Sequence, residues 1–207
     1  MKPRCRNNAN MEPTLIALTG AGLLAGAHHA WSGPDHLAGV APLVSATRSR
    51  AWRIGFHWGL GHTVGALLAA TLALLLREQM PGLEATLSAW SERIVGLVLC
   101  VIGALGLRAV LRRGDLFAHH EQRHSAFGLG LLHGAAGLAH LFAVLPALAL
   151  PGVLAPVVYL SGYALGSLGA ITLFASLLGR TSRFRASLAI SSGLSVLVGV
   201  WWLAESL

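Results

Sequence analysis

Apolar residues fall along this chain in six blocks, 13–31, 53–76, 92–111, 126–149, 153–178 and 186–204, separated by short polar stretches. Each block is about 20 residues long, the length an α-helix needs to cross a hydrocarbon core of about 30 Å. The pattern predicts an all-α polytopic membrane protein with six transmembrane helices. Composition agrees, since 55% of the 207 residues are hydrophobic and 11% charged, against roughly 25% charged in soluble domains.

The formal charge of +7 changes the picture only through its placement. Ten of the fifteen Lys and Arg residues, at 48, 50, 53, 108, 112, 113, 123, 180, 183 and 185, fall between blocks or at their ends, on what six spans would make a single side. By the positive-inside rule that side is cytoplasmic, and both termini lie on the other, periplasmic face. The cations therefore point to a lipid bilayer as partner and away from nucleic acid. Lys2, Arg4 and Arg6 oppose this orientation, and a start at Met11 would remove them. A basic start followed by an apolar run and "AGA" also fits a signal peptide, but the internal repeat needs the segment retained. Cys5 and Cys100 are too few for a disulfide framework, and neither is expected to carry chemistry.

The chain repeats itself. Gly26, His29, Gly33, His36, Leu37, Val40 and Pro42 recur as Gly130, His133, Gly137, His140, Leu141, Val144 and Pro146, and Gly65-Ala66 as Gly169-Ala170. Each copy holds three blocks, an odd number, so a shared fold requires the second copy to be inverted. The expected organisation is a stub over 1–12, a first three-helix repeat over 13–111, a His-rich cytoplasmic loop over 112–125 and a second repeat over 126–207. In transporters of inverted-repeat design, sites lie near the midplane where helices are broken. Gly33, Pro34 and Pro42 predict such a break, with a milder one at Gly137 and Pro146.

Candidate chemistry sits at those breaks. His29 and His36 are two turns apart, His133 and His140 repeat the spacing, and a pseudo-two-fold axis would gather four imidazoles beside Asp35. Imidazole suits divalent transition ions, and a carboxylate at mid-bilayer costs about 2.5–3.5 kcal/mol, which something must offset. In the second block His57 and His62 point about 140° apart on an ideal helix. His62, deeper and near Gly65, is the expected metal ligand, with His57 at the boundary. His28, His57, His119, His120 and His124 form a second group, expected to load metal. The glycines at 55, 59, 61 and 65 read as a helix-packing stripe. Trp52, Trp58, Trp90, Trp201 and Trp202 read as interfacial anchors or apolar-face residues. The sequence contains no Ser/His/Asp triad, Walker loop or CxxC motif, so no enzyme is expected and no tightly bound cofactor.

With those residues set out, "HHAWSGPDHLAGVAPL" followed by "GFHWGLGHTVG" resembles the nickel/cobalt transporter superfamily of the NicO and UreH type. The UreH-type members are urease accessory membrane proteins. More distantly the chain is similar to LysE-like and DsbD-like membrane proteins. The resemblance covers residues 15 to about 178 and is sharpest at Gly33-Pro34-Asp35-His36. It implies passage of Ni²⁺ or Co²⁺ across a bacterial inner membrane, with His29, Asp35 and His36 touching the ion. Nickel permeases place four residues between the histidine and Asp-His; here five separate His29 from Asp35, closer to the UreH-type pattern. Alternating access, coupled to protons because metal and proton compete for imidazole, is the expected mechanism. The alternatives are a non-transporting accessory protein for metalloenzyme maturation, partnered by maturation proteins or by further copies of itself, and a DsbD-like electron carrier. The last lacks its nucleophile, since His36 and His140 stand where each repeat would carry a cysteine.

Overall fold

The computed structural model describes residues 11–46, 50–76, 83–112, 122–136, 146–147, 149–181 and 184–205. The fold is all-α. Its described helices are α1 (Met11–Ser32), α2 (Pro34–Ser45), α3 (Ala51–Leu76), α4 (Leu83–Arg112), α5 (Gln122–Ala136), α6 (Leu154–Thr181) and α7 (Phe184–Glu205). Helix α5 starts inside the stretch expected as a loop over 112–125, so His124 stands on a helix's first turn.

Gly33 parts α1 from α2. Pro34 opens α2, where its missing N–H would find no helical partner anyway and its ring presets φ. The Gly33 N–H closes α1 on the His29 carbonyl at 3.2 Å, and the Gly33 carbonyl accepts from His36 N–H at 3.2 Å. The second break expected at Pro42 does not occur. Helix α2 runs through it to Ser45, held by burial of every residue from Ala38 to Ser45. This short helix is the centre of the bundle, packed on α7, α6, α4 and α3. Ser191 on α7 donates to Ser45 on α2 at 3.3 Å, and Ser195 to the Leu99 carbonyl on α4 at 2.9 Å.

Glycines set how closely the long helices approach. Gly22 and Gly26 on α1 meet the backbone of Tyr159 and Tyr163 on α6, while Gly162 and Gly166 meet Thr19 and Leu23 in return. These pairs ascend together, so α1 and α6 run parallel. Gly61 and Gly65 on α3 meet Phe127 and Leu131 on α5, again in parallel. Gly55 and Gly59 face Ala175 and Leu168, and Gly96 and Gly106 face Gly199 and Ser192. Here the numbers run opposite ways, so α3 and α6 are antiparallel, as are α4 and α7. A Cβ at Gly26 would fall 2.0 Å from the Tyr163 carbonyl oxygen, whereas one at Gly20 meets nothing within 4 Å. Gly26→Ala is therefore expected to cost about 1–3 kcal/mol by overpacking, and Gly20→Ala to be neutral or stabilising by up to about 1 kcal/mol. Thermal unfolding in detergent reads both; equal melting temperatures would contradict the close approach.

Among the described residues three segments are long and apolar enough to cross a membrane: Glu92–Arg112, Leu154–Arg180 and Arg185–Glu205. That is fewer than the six spans expected. Helices α2 and α5, of 12 and 15 residues, are about 18 and 22 Å long, short of a hydrocarbon core. Of the expected fourth block at 126–149, α5 covers the residues up to Ala136, and 137–145 lie outside the described residues.

Candidate metal centre

Four helices deliver one polar cluster to the interior. His29 lies in the last turn of α1, Asp35 and His36 in the first turn of α2, His62 inside α3 and His133 in the last turn of α5. His36, His62 and His133 are 2–3% exposed and Asp35 6%, so the group is not a hydrated surface patch. The His36 ring centroid is 4.7 Å from His29, 4.7 Å from His62 and 5.1 Å from His133. His36 is thus the hub.

Asp35 bridges two of the rings. Its Oδ1 accepts from His36 Nδ1 and its Oδ2 from His133 Nε2, each at 3.1 Å. A carboxylate only accepts, so both nitrogens carry a proton. His36 is left with its lone pair on Nε2 and His133 with its own on Nδ1. Two such bonds, with a place in the first turn of α2 where the helix dipole favours negative charge, offset the cost of burying the carboxylate. Gly33 makes room: a Cβ there would lie 2.1 Å from His36 Nδ1 and 2.8 Å from Asp35 Oδ1.

Two ligand sets arise, His29-His36-His62 and Asp35-His36-His133, each with donor atoms within 4.8 Å of one another. A tetrahedral zinc with bonds of about 2.0–2.1 Å separates its ligands by about 3.4 Å, so by spacing alone each set lies within an inward shift of side chains of that geometry. The donors fit a divalent transition ion. The described space beside the cluster is small, a cavity of about 20 Å³ between His62, Tyr163 and Ser167, room for about one water.

The structure gathers His29, Asp35, His36, His62 and His133; His140, expected as the fourth imidazole, lies outside the described residues, as do Gly137, His119 and His120. His62 fills the fourth place among the rings. His57 turns away, its Nδ1–H donating to the Arg53 carbonyl at 2.7 Å. His28 and His124 are exposed. Pro146 is helical together with Ala147, its carbonyl accepting from Ala149 N–H at 3.2 Å. Cys100 is a free thiol against the Val196 carbonyl in the α4–α7 seam. Trp58, read from sequence with the anchors and apolar-face residues, belongs to the site. It is fully buried, stacks on His62 at 5.3 Å with an interplanar angle of 7°, and lies 5.3 Å from His133. Its position one turn before His62 was the signal available. Tyr163, 5.7 Å from His29, had none, because α6 reaches the site only through packing. Trp52 and Trp90 are exposed, each under an arginine, Arg53 and Arg93.

Fold and centre together define an all-helical protein enclosing an imidazole–carboxylate cluster where four helices meet. No protein-family model matches the chain, and no solved structure matches it significantly. The chain is similar to two Arabidopsis thaliana proteins. "Chloroplast protein FOR GROWTH AND FERTILITY 2" is 36% identical over 171 residues, 74% of this chain and 45% of the relative. "Chloroplast protein FOR GROWTH AND FERTILITY 1" is 34% identical over 182 residues, 78% of this chain and 49% of the relative. The chain spans about half the length of the curated relatives it matches.

These similarities overturn the resemblance to the NicO and UreH-type superfamily and what it implied. The relatives are plant chloroplast proteins named for growth and fertility, not nickel/cobalt transporters or urease accessory proteins. Ni²⁺ or Co²⁺ passage and a bacterial inner-membrane location fall with it. The physical reason is that a Gly-Pro-Asp-His break specifies a local geometry, a capped half-helix with a buried imidazole. It does not specify a cargo or a compartment.

Proposed function

We propose that this chain is a membrane-embedded protein of two inverted three-helix repeats whose working part is a buried binding site for a divalent transition-metal ion. The observation that carries the reading is the convergence of His29, Asp35, His36, His62 and His133 from four helices into one enclosed cluster. So much polar chemistry inside an apolar bundle needs a function to offset its cost. The role is binding rather than catalysis: the cluster offers ligands and no nucleophile beside a base.

Two further observations support the membrane and the repeats. Leu24, Leu111, Leu165, Leu197 and Val200 are among many large apolar side chains exposed on α1, α4, α6 and α7, more than a soluble surface ordinarily carries. Helices related by the repeat, α3 with α6 and α4 with α7, pack antiparallel, as a two-fold axis lying in the membrane plane requires.

Zinc titration of the purified chain in detergent tests the site. The expected result is one ion per chain, retained by His57→Ala, whose ring lies outside the cluster, and lost in His36→Ala, whose ring both ligand sets share. Equal binding by all three proteins, or none by the parent, would refute it.

A further inference from the structure

Both ligand sets use His36, and resting on the reading of this cluster as a metal centre, we propose that the ion sits among His29, His36 and His62 while Asp35 and His133 position His36 without touching the metal. The two nitrogens that face Asp35, His36 Nδ1 and His133 Nε2, are donors at 3.1 Å. An ion seated among Asp35, His36 and His133 would have to displace those protons or turn both rings over. Turning them over would break both bonds to the Asp35 carboxylate, and Trp58 packs beside each ring, 6.2 Å from His36 and 5.3 Å from His133 by centroid.

The alternative set needs no such rearrangement. With its proton held by Asp35, His36 presents the Nε2 lone pair, and its ring lies equally close to His29 and His62, at 4.7 Å each. His62 is itself backed by the Trp58 face. This is the carboxylate–histidine–metal arrangement in which an outer carboxylate fixes tautomer and aim and makes the ring a better donor. His133 then has a distinct task. By occupying Asp35 Oδ2 it keeps the carboxylate turned toward His36, and it ties α2 to α5 across the two halves of the chain. The ion, held by His29 from α1 and His36 from α2, would span the Gly33-Pro34 break.

Zinc K-edge absorption and zinc titration of the full chain in detergent separate the two seats. The expected shell has three imidazoles in the parent and still three in His133→Gln, whose amide can continue to donate to Asp35. Asp35→Asn keeps three imidazoles while affinity falls 10–100-fold, the usual size of an outer-sphere loss. His29→Ala and His62→Ala each lose one imidazole. Loss of an imidazole in His133→Gln, or of an oxygen ligand in Asp35→Asn, would place the ion on the other set and overturn the assignment. A parent that binds no zinc would instead remove the metal-centre reading, and the assignment with it. The imidazole count answers for each variant that keeps the parent's helical circular dichroism, and His133→Gln tests the assignment alone if Asp35→Asn fails to fold.

Discussion

Replacing His36 with alanine is expected to abolish zinc binding, by on the order of a thousandfold or more, beyond the 10–100-fold of losing an outer-shell partner. His36 is the only side chain common to both ligand sets, so no relocation of the ion rescues the variant. Stability should fall as well. Asp35 Oδ1 loses its donor in a site where the carboxylate is 6% exposed, and an unsatisfied buried group of this kind costs about 1–3 kcal/mol. The double variant Asp35→Asn, His36→Ala removes the stranded charge. It should regain part of the melting temperature and none of the binding, which separates loss of a ligand from loss of fold. Calorimetric titration showing near-parental affinity in His36→Ala would mean that the hub of the cluster is not where the ion sits.

Gly33→Ala is the second large effect, and it comes from a methyl group. The backbone at Gly33 has φ −80° and ψ 106°, a conformation alanine adopts readily. Were only the backbone involved, the substitution would stabilise by about 0.4–1 kcal/mol through the unfolded chain. The added Cβ, however, falls 2.1 Å from His36 Nδ1 and 2.8 Å from Asp35 Oδ1. Both groups are buried, so neither can swing into solvent to make way. The ring must leave its rotamer and the bond to Asp35 must lengthen. We expect a loss of about 1–3 kcal/mol together with a fall in zinc affinity approaching that of His36→Ala. An unchanged affinity with a slightly raised melting temperature would show that the ring does not lie over Gly33.

The helices were legible because their signals are local. Apolar runs mark α1, α3, α4, α6 and α7 to within a few residues, apart from α4, which begins earlier at Leu83. The glycines at 55, 59, 61 and 65 were recognisable as a packing stripe, though not that the first two face α6 and the last two α5. Helix angles separated His62 from His57, and depth in the block with Gly65 nearby favoured His62. Other features depend on neighbours that no periodicity names. Pro42 looks like a stop, yet burial carries α2 through it. Trp58 looks like an apolar-face residue until α3 is packed on α5 and its ring is found against His62 and His133. The quartet of rings includes His62 because α3 and α5 run parallel through the contacts of Gly61, Gly65, Gly130 and Gly134. The resemblance to metal transporters erred for the same reason at a larger scale. Residues that shape a break recur wherever that break is useful.

By itself the sequence determined an all-helical chain, a break at Gly33-Pro34 and a set of histidines too costly to bury without purpose. These follow from residue types and spacings within one or two helical turns. Only the tertiary structure decided that Asp35 bonds His133, 98 positions away, and that His36 stands between the two ligand sets. The tautomers of the centre follow from those partners. Hydrogen bonds across helices depend on the depth at which backbones meet, and that depth is set by all the helices packing together.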